Sequence, residues 1–286
     1  MSQNLQRGKL ESMKEILKNY IEKFNKDDNE YYKQEIENCD AFDWLSEQIP
    51  LIEIPDKTLE EIYYFRWWIL RKHIKNTEDG YVITEFLPPV PWAGKHNTII
   101  AAASFHIQEA RWLENGKKIC EDYIKFWLDE KGRTYLYSSW LLYSVYEFCV
   151  HNNDFSFAEQ NLELFINFFE TVYKEHITES GLLWSIDNND AMEFSISGGR
   201  LPGEEAKGIR PTLNSYMAAN AWAIAQVAGK AGKTEIAEKY KNIYEELKEK
   251  ITEILWDGEF YKAIHTGNLY ETTFDKIVVL HNAQTT

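Results

Sequence analysis

Apolar residues recur at spacings of three and four along most of this chain, the mark of helices that bury one face. Lys9 to Asn25 carries Leu10, Met13, Ile16, Leu17, Tyr20, Ile21 and Phe24 in that rhythm. The pattern predicts a second helix over Glu30 to Gln48, ending before Pro50, and a third over Lys57 to Lys75. The third opens after Pro55-Asp56 and lines up Leu59, Ile62, Tyr63, Arg66, Ile69, Leu70 and His73 on one face. Another starts near Asn97 or Thr98, with Ala101 to Ala103 allowing close backbone packing, and more follow at about Gly116 to Asp129, Ser138 to His151 and Phe155 to His176. Pro211 to Gly229 and Thr234 to Leu255 bring the expected total to nine helices with almost no strand.

Two stretches break the rhythm. Gly80 to Gly94, GYVITEFLPPVPWAG, reads as a short β-like run followed by three prolines, which leaves Trp92 on a constrained turn and sets Lys95, His96 and Asn97 at a helix entrance. Gly181 to Asn220 is a long polar loop feeding a helix, with Trp184, Asp187, Asp190, Glu193, Arg210, Asn214 and Tyr216 in it. Loops of that length inside a compact domain are functional or disordered, and the Trp, Met, Phe and Ile among its charges are poor composition for disorder.

Composition narrows the classes. With 286 residues, 44% of them hydrophobic, the chain can bury a sizeable core. A formal net charge of -15 argues against nucleic-acid partners, because phosphate binding is driven by Lys and Arg. No run approaches the length of a membrane span, and MSQNLQRGKLESMKEIL has no apolar signal core, so the expectation is a cytoplasmic protein without a membrane partner. Cys39, Cys120 and Cys149 are odd in number and far apart, which fits no disulfide framework and suits a reducing compartment. The 10 Trp, 17 Tyr and 15 Phe serve helix cores and also sugar-binding clefts, where a ring face stacks on the ligand.

The carboxylates of the long loop are the candidate chemistry. Glycoside hydrolysis uses two carboxyl groups, one protonated to assist the departing oxygen and one ionised to activate water or attack carbon. Repulsion among Asp187, Asp190 and Glu193, with desolvation by Trp184, Met192 and Phe194, is a way to keep one of them protonated. The plain alternative is that these acids are solvated, cap a helix or pair with Arg200 or Arg210. A calcium loop is not matched by DNND, since the glycine and the bidentate glutamate of the twelve-residue pattern are missing. Ser195 and Ser197 lack a nucleophile elbow, and no phosphate-binding or dinucleotide fingerprint is present. No metal and no cofactor are expected.

The order PWAGKHN, then GLLWSIDNNDAMEFSISG, then RPTLNSYMAANAWAIAQVAGKAG, then LWDGEFY resembles the six-hairpin (α/α)6 toroid glycosidases, in particular the trehalase-like and mannosylglycerate-hydrolase-like group around glycoside hydrolase family 63. The resemblance covers roughly Leu59 to Tyr261. It implies an all-α toroid of helical hairpins over 57–286, left incomplete after about nine of twelve helices, with an N-terminal helical extension over 1–56. In such a family Ala191-Met192-Glu193-Phe194-Ser195 matches the loop of the general acid, which makes Glu193 the catalytic acid and Asp190 the runner-up. Trp92, Trp184 and Tyr216 would stack on sugar, and Lys95, His96, Asn97, Asp187, Arg210 and Asn214 would bond hydroxyls; Asn97 stands where the family often has a carboxylate. The tail KIVVLHNAQTT does not match the segment that carries the family's general base. The expectation is a carbohydrate-cleaving enzyme or a fragment of one, with a non-catalytic sugar-binding protein and a helical-repeat interaction protein as alternatives. An open ring would expose apolar helix faces and favour self-association.

Overall fold

The computed structural model describes residues 3–190 and 207–265. Packing divides the chain into two compact units, one of Met1–Thr98 with His106–Phe126 and the other of Ile99–Phe105 with Trp127–Thr286. The first unit contains α1 (Gln3–Lys26), α2 (Ala41–Gln48), α3 (Lys57–His73), the hairpin β1 (Ile74–Thr77) and β2 (Gly80–Ile83), and α5 (Gly116–Leu128) up to Phe126. The small-residue helix α4 (Ile100–Ala110) starts in the second unit and ends in the first. The second unit continues with α6 (Leu141–Asn152), α7 (Ser156–Gln160), α8 (Leu162–His176), β3 (Trp184–Ile186), β4 (Lys207–Ile209), α9 (Pro211–Lys230), α10 (Thr234–Lys250) and β5 (Ile264–His265). Ten α-helices are present among the described residues, where the periodicity predicts nine.

The expected helix over Glu30 to Gln48 begins only at Ala41, after a short 3-10 turn. Glu30 sits at φ +48°, a conformation no helix interior accepts. The stretch before Asn38 is instead held by side chains: Glu30 accepts from the Asn38 amide at 2.7 Å, Asp28 accepts from Asn38 Nδ2 at 2.7 Å, and the buried Arg71 guanidinium bonds Asn38 Oδ1 at 2.8 Å and the Ile36 carbonyl. A buried guanidinium must find acceptors, and this loop supplies them. The span Phe155 to His176, expected as one helix, is broken at Asn161, whose φ and ψ of -104° and 12° separate α7 from α8.

α3 buries a different face from the one its periodicity suggests. Glu60, Tyr64, Trp67, Trp68, Arg71 and Lys72 point inward together with Leu70 of the expected face, while Leu59 and Ile62 stay half exposed at 55% and 50%. Its start follows the sequence: the Asp56 carboxylate accepts from the amides of Thr58 and Leu59 at 2.9 and 3.2 Å, an N-cap that satisfies two orphan donors.

In the second unit α9 is the central helix, packed against α6, α8 and α10. Ala218, Ala221, Ala225 and Ala228 are buried along it, so neighbouring backbones approach closely. Pro211 opens it at a position where the missing amide is no loss. Just before it, β4 pairs antiparallel with β3 (Trp184 with Ile209, Ser185 with Gly208, Ile186 with Lys207) and with β5. No helix among the described residues is long and apolar enough to cross a membrane.

Candidate active site

The β3–β4 pairing has a direct consequence for the long loop. It holds the chain entering 191–206 and the chain leaving it in one small sheet, and the entry continues into a 3-10 turn over Asp187–Asp190. That turn is fastened from the side. The Ser138 amide donates to the Asn189 carbonyl at 2.6 Å, and the hydroxyls of Ser138 and Ser185 donate to Asp190 Oδ1 at 2.5 and 3.1 Å. Arg210 Nη1 lies 3.7 Å from Asp190 Oδ2, with both side chains fully buried. Two hydroxyl donors and a guanidinium are the partners of an ionised carboxylate. Asp190 and Arg210, both singled out in the sequence, therefore form a buried ion pair.

Tyr216, the next candidate along α9, is half-buried. Burial, helped by the negative charge of Asp190, pushes its phenol up to about 12. Its ring centroid lies 6.4 Å from that of Trp140, which meets the exposed Phe105 edge-on at 5.2 Å. Trp184 is half-buried on β3, its ring 4.4 Å from the His176 imidazole and 4.1 Å from Lys207 Nζ, while His176 Nδ1 donates to the Trp184 carbonyl at 2.7 Å. Asn214 has a different task from bonding a ligand. It is fully buried, its Oδ1 accepts from the Leu183 amide at 2.7 Å, and its Nδ2 donates to the carbonyls of Leu183 and Arg210, both at 2.8 Å. This amide ties the start of α9 to the strand that leads to Asp190. The backbone of Asp187 belongs to the 3-10 turn, and Glu193 lies outside the described residues.

The remaining candidates lie in the first unit. His96 and Asn97 both adopt left-handed φ, +57° and +55°. Asn97 tolerates that conformation and uses its side chain as a brace: Oδ1 accepts from the Val90 amide at 3.0 Å and Nδ2 donates to the carbonyls of Phe86 and Pro88 at 2.5 and 2.7 Å. The brace fixes the proline turn on which Trp92 stands, half exposed and edge-on to Phe86 at 6.0 Å. His96 Nε2 lies 2.7 Å from Asp79 Oδ2, and Lys95 Nζ contacts Asp79 and, at 3.3 Å, Glu78. Glu78, Asp79 and His96 are the one group close enough to share a metal ion among the described residues. The Lys95 ammonium pairs with both carboxylates of this group.

Ser138, Ser185 and His176 carry no sequence signal of their own. Ser138 is 52 residues from the carboxylate it serves, and only the helix entrance at YSSW marks its neighbourhood.

The fold is the all-α helical-hairpin class of the toroid glycosidases. A family model, the mannosylglycerate hydrolase MGH1-like glycoside hydrolase domain, matches residues 95–272, more than half of the chain. This chain belongs to that family. A solved structure titled "Sialidase" is similar over 87% of this chain, with 35% sequence identity and a TM-score of 0.81, and the match covers 23% of that chain's length. No curated protein matches the sequence.

Proposed function

We propose that this chain is a glycoside hydrolase, or the part of one that bears the general acid, and that Glu193 is that acid. The observation that carries the reading is the fastening of Asp190 by Ser138, Ser185 and Arg210, three residues before Glu193, in a chain of the MGH1-like family. A general acid must hold a proton to give to the leaving oxygen. Asp190, buried and paired with Arg210, suits the supporting role of fixing the turn at the entry to the loop. Tyr216, Trp140 and Trp184 offer ring surface in the same unit for a sugar.

The finer expectations travel with this proposal. A cytoplasmic site of action is supported by three free cysteines, Cys39 exposed and Cys120 and Cys149 buried. Self-association is supported by the exposed Leu59, Ile62 and Phe65 of α3. The test is a hydrolysis screen of the purified chain on aryl glucosides, mannosides and arabinosides and on short disaccharides, beside Glu193→Gln. Turnover that disappears in Glu193→Gln while sugar binding persists supports the assignment. Turnover that survives it removes Glu193 from the acid role, and sugar binding without turnover in the wild type favours the non-catalytic reading.

A further inference from the structure

The first unit contains a cavity of about 310 Å³ that none of the chemistry above uses. Its apolar wall is Phe65, Ile69 and Leu70 of α3 with Ile83 of β2, and its polar rim is Arg66, His73, Glu85, His106 and Glu109. That volume is at the lower end of small-molecule sites, which run from about 300 Å³ upward and combine apolar walls with a few convergent polar groups.

The rim is lopsided in hydrogen-bonding character. His73 Nδ1 lies 2.8 Å from the Thr84 carbonyl, and a carbonyl only accepts, so the imidazole proton sits on Nδ1 and Nε2 presents a lone pair. Burial lowers the His73 pKa below its usual value despite the Thr84 bond, which keeps that ring neutral. His106 is occupied at both nitrogens: Nδ1 is 3.1 Å from the Tyr123 hydroxyl and Nε2 is 3.4 Å from Glu85 Oε2. Arg66, the one fixed cation of the rim, is tied to Glu109. Apart from its histidines the rim carries two carboxylates against one guanidinium, and the acceptors it presents are His73 Nε2, Glu85 and Glu109.

A metal ion does not fit, since the one cluster of metal-type ligands among the described residues is Glu78, Asp79 and His96. Carboxylate acceptors in excess of the one guanidinium favour a cationic donor over a neutral one. We propose that this cavity binds a small organic ammonium ion, with its N–H groups on the acceptors and its hydrocarbon body against Phe65, Ile69, Leu70 and Ile83. The site is independent of the glycosidase reading.

The probe is cyclohexylammonium, compared with cyclohexanol as an uncharged molecule of the same shape, both titrated into the whole chain at neutral pH. Histidine ring signals in proton–carbon NMR report binding, with His73 assigned from His73→Gln. The expected result is a saturable shift of the His73 signal with cyclohexylammonium, about tenfold or more tighter than with cyclohexanol, as a charge-assisted hydrogen bond requires. Glu85→Gln and, separately, Glu109→Gln each weaken the ammonium about fivefold or more with an unchanged far-UV spectrum. No saturable shift, equal affinity for the two probes, tighter binding of cyclohexanol, or affinity unmoved in both folded variants overturns the proposal.

Discussion

At the scale of single residues, the buried charges of this molecule are held by specific partners, and their removal is correspondingly costly. Glu60 of α3 is 1% exposed and accepts from the Ile54 amide at 2.7 Å, Lys57 Nζ at 3.0 Å and the Tyr20 hydroxyl at 3.1 Å. Burial alone would raise its pKa, but these bonds outweigh it and leave the carboxyl below the ordinary glutamate value. A carboxyl lowered in the folded state contributes stability that is complete above its unfolded value, about 4.3, and disappears as pH falls through the folded value. The urea midpoint should therefore drop below about pH 4.5, and Glu60→Gln should flatten that drop while costing about 1–3 kcal/mol at neutral pH. Asp190 is the harsher case. Asp190→Ala removes a buried charge beside Arg210 together with the acceptor of the Ser138 and Ser185 hydroxyls and should cost about 3–5 kcal/mol, whereas Asp190→Asn, which keeps the shape and the serine contacts, should cost less. Equal urea midpoints for wild type and Asp190→Ala would mean that the ion pair is not a fastening.

At the scale of elements, α6 has no cap of its own, because Trp140 precedes it and offers no side-chain acceptor. Asn220, from the middle of α9, does the work: Oδ1 accepts from the amides of Leu142 and Tyr143 at 3.0 and 3.3 Å, and Nδ2 donates to the Ser139 carbonyl at 2.9 Å. Asn220→Ala should cost about 2–3 kcal/mol, a lost cap plus a buried unsatisfied carbonyl, read as a lower thermal midpoint with unchanged helix content at 25 °C. This cap also explains what sequence could reveal. Helix positions were legible because 3.6-residue periodicity is local, and Pro211 and Asp56 mark two starts by local chemistry. The inward face of α3 was not legible, since apolar residues surround the helix and the decision lies with partners for Glu60, Arg71 and Lys72 that are distant in sequence. The irregular chain before Asn38 follows from the same buried guanidinium. At the site, Asp190 and Arg210 were legible as loop and helix-entrance residues. Their serine partners were not, and Asn97 and Asn214, read as ligand groups, are backbone braces recognisable only once the main chain around them is folded.

At the scale of the whole molecule, two long-range properties oppose each other. The net charge of -15 makes copies repel, while the exposed Leu59, Ile62 and Phe65 of α3 offer apolar surface to be covered. Repulsion between exposed charges is screened over a Debye length of about 10 Å at 0.1 M salt, and burial of apolar area is barely weakened by salt. Self-association of the kind proposed should therefore be suppressed at about 20 mM NaCl and grow at about 300 mM. It should also strengthen as pH falls toward the isoelectric point near 5.0, where the net charge vanishes. Sedimentation velocity at the two salt concentrations measures the first effect. Leu59→Glu with Ile62→Glu places like charge on the stripe itself, at two exposed positions, and should keep the chain monomeric at high salt without lowering its thermal midpoint by more than a few degrees. A salt-driven oligomer that persists in this double variant would show that the contact lies elsewhere. The α3 stripe would then be an ordinary exposed surface.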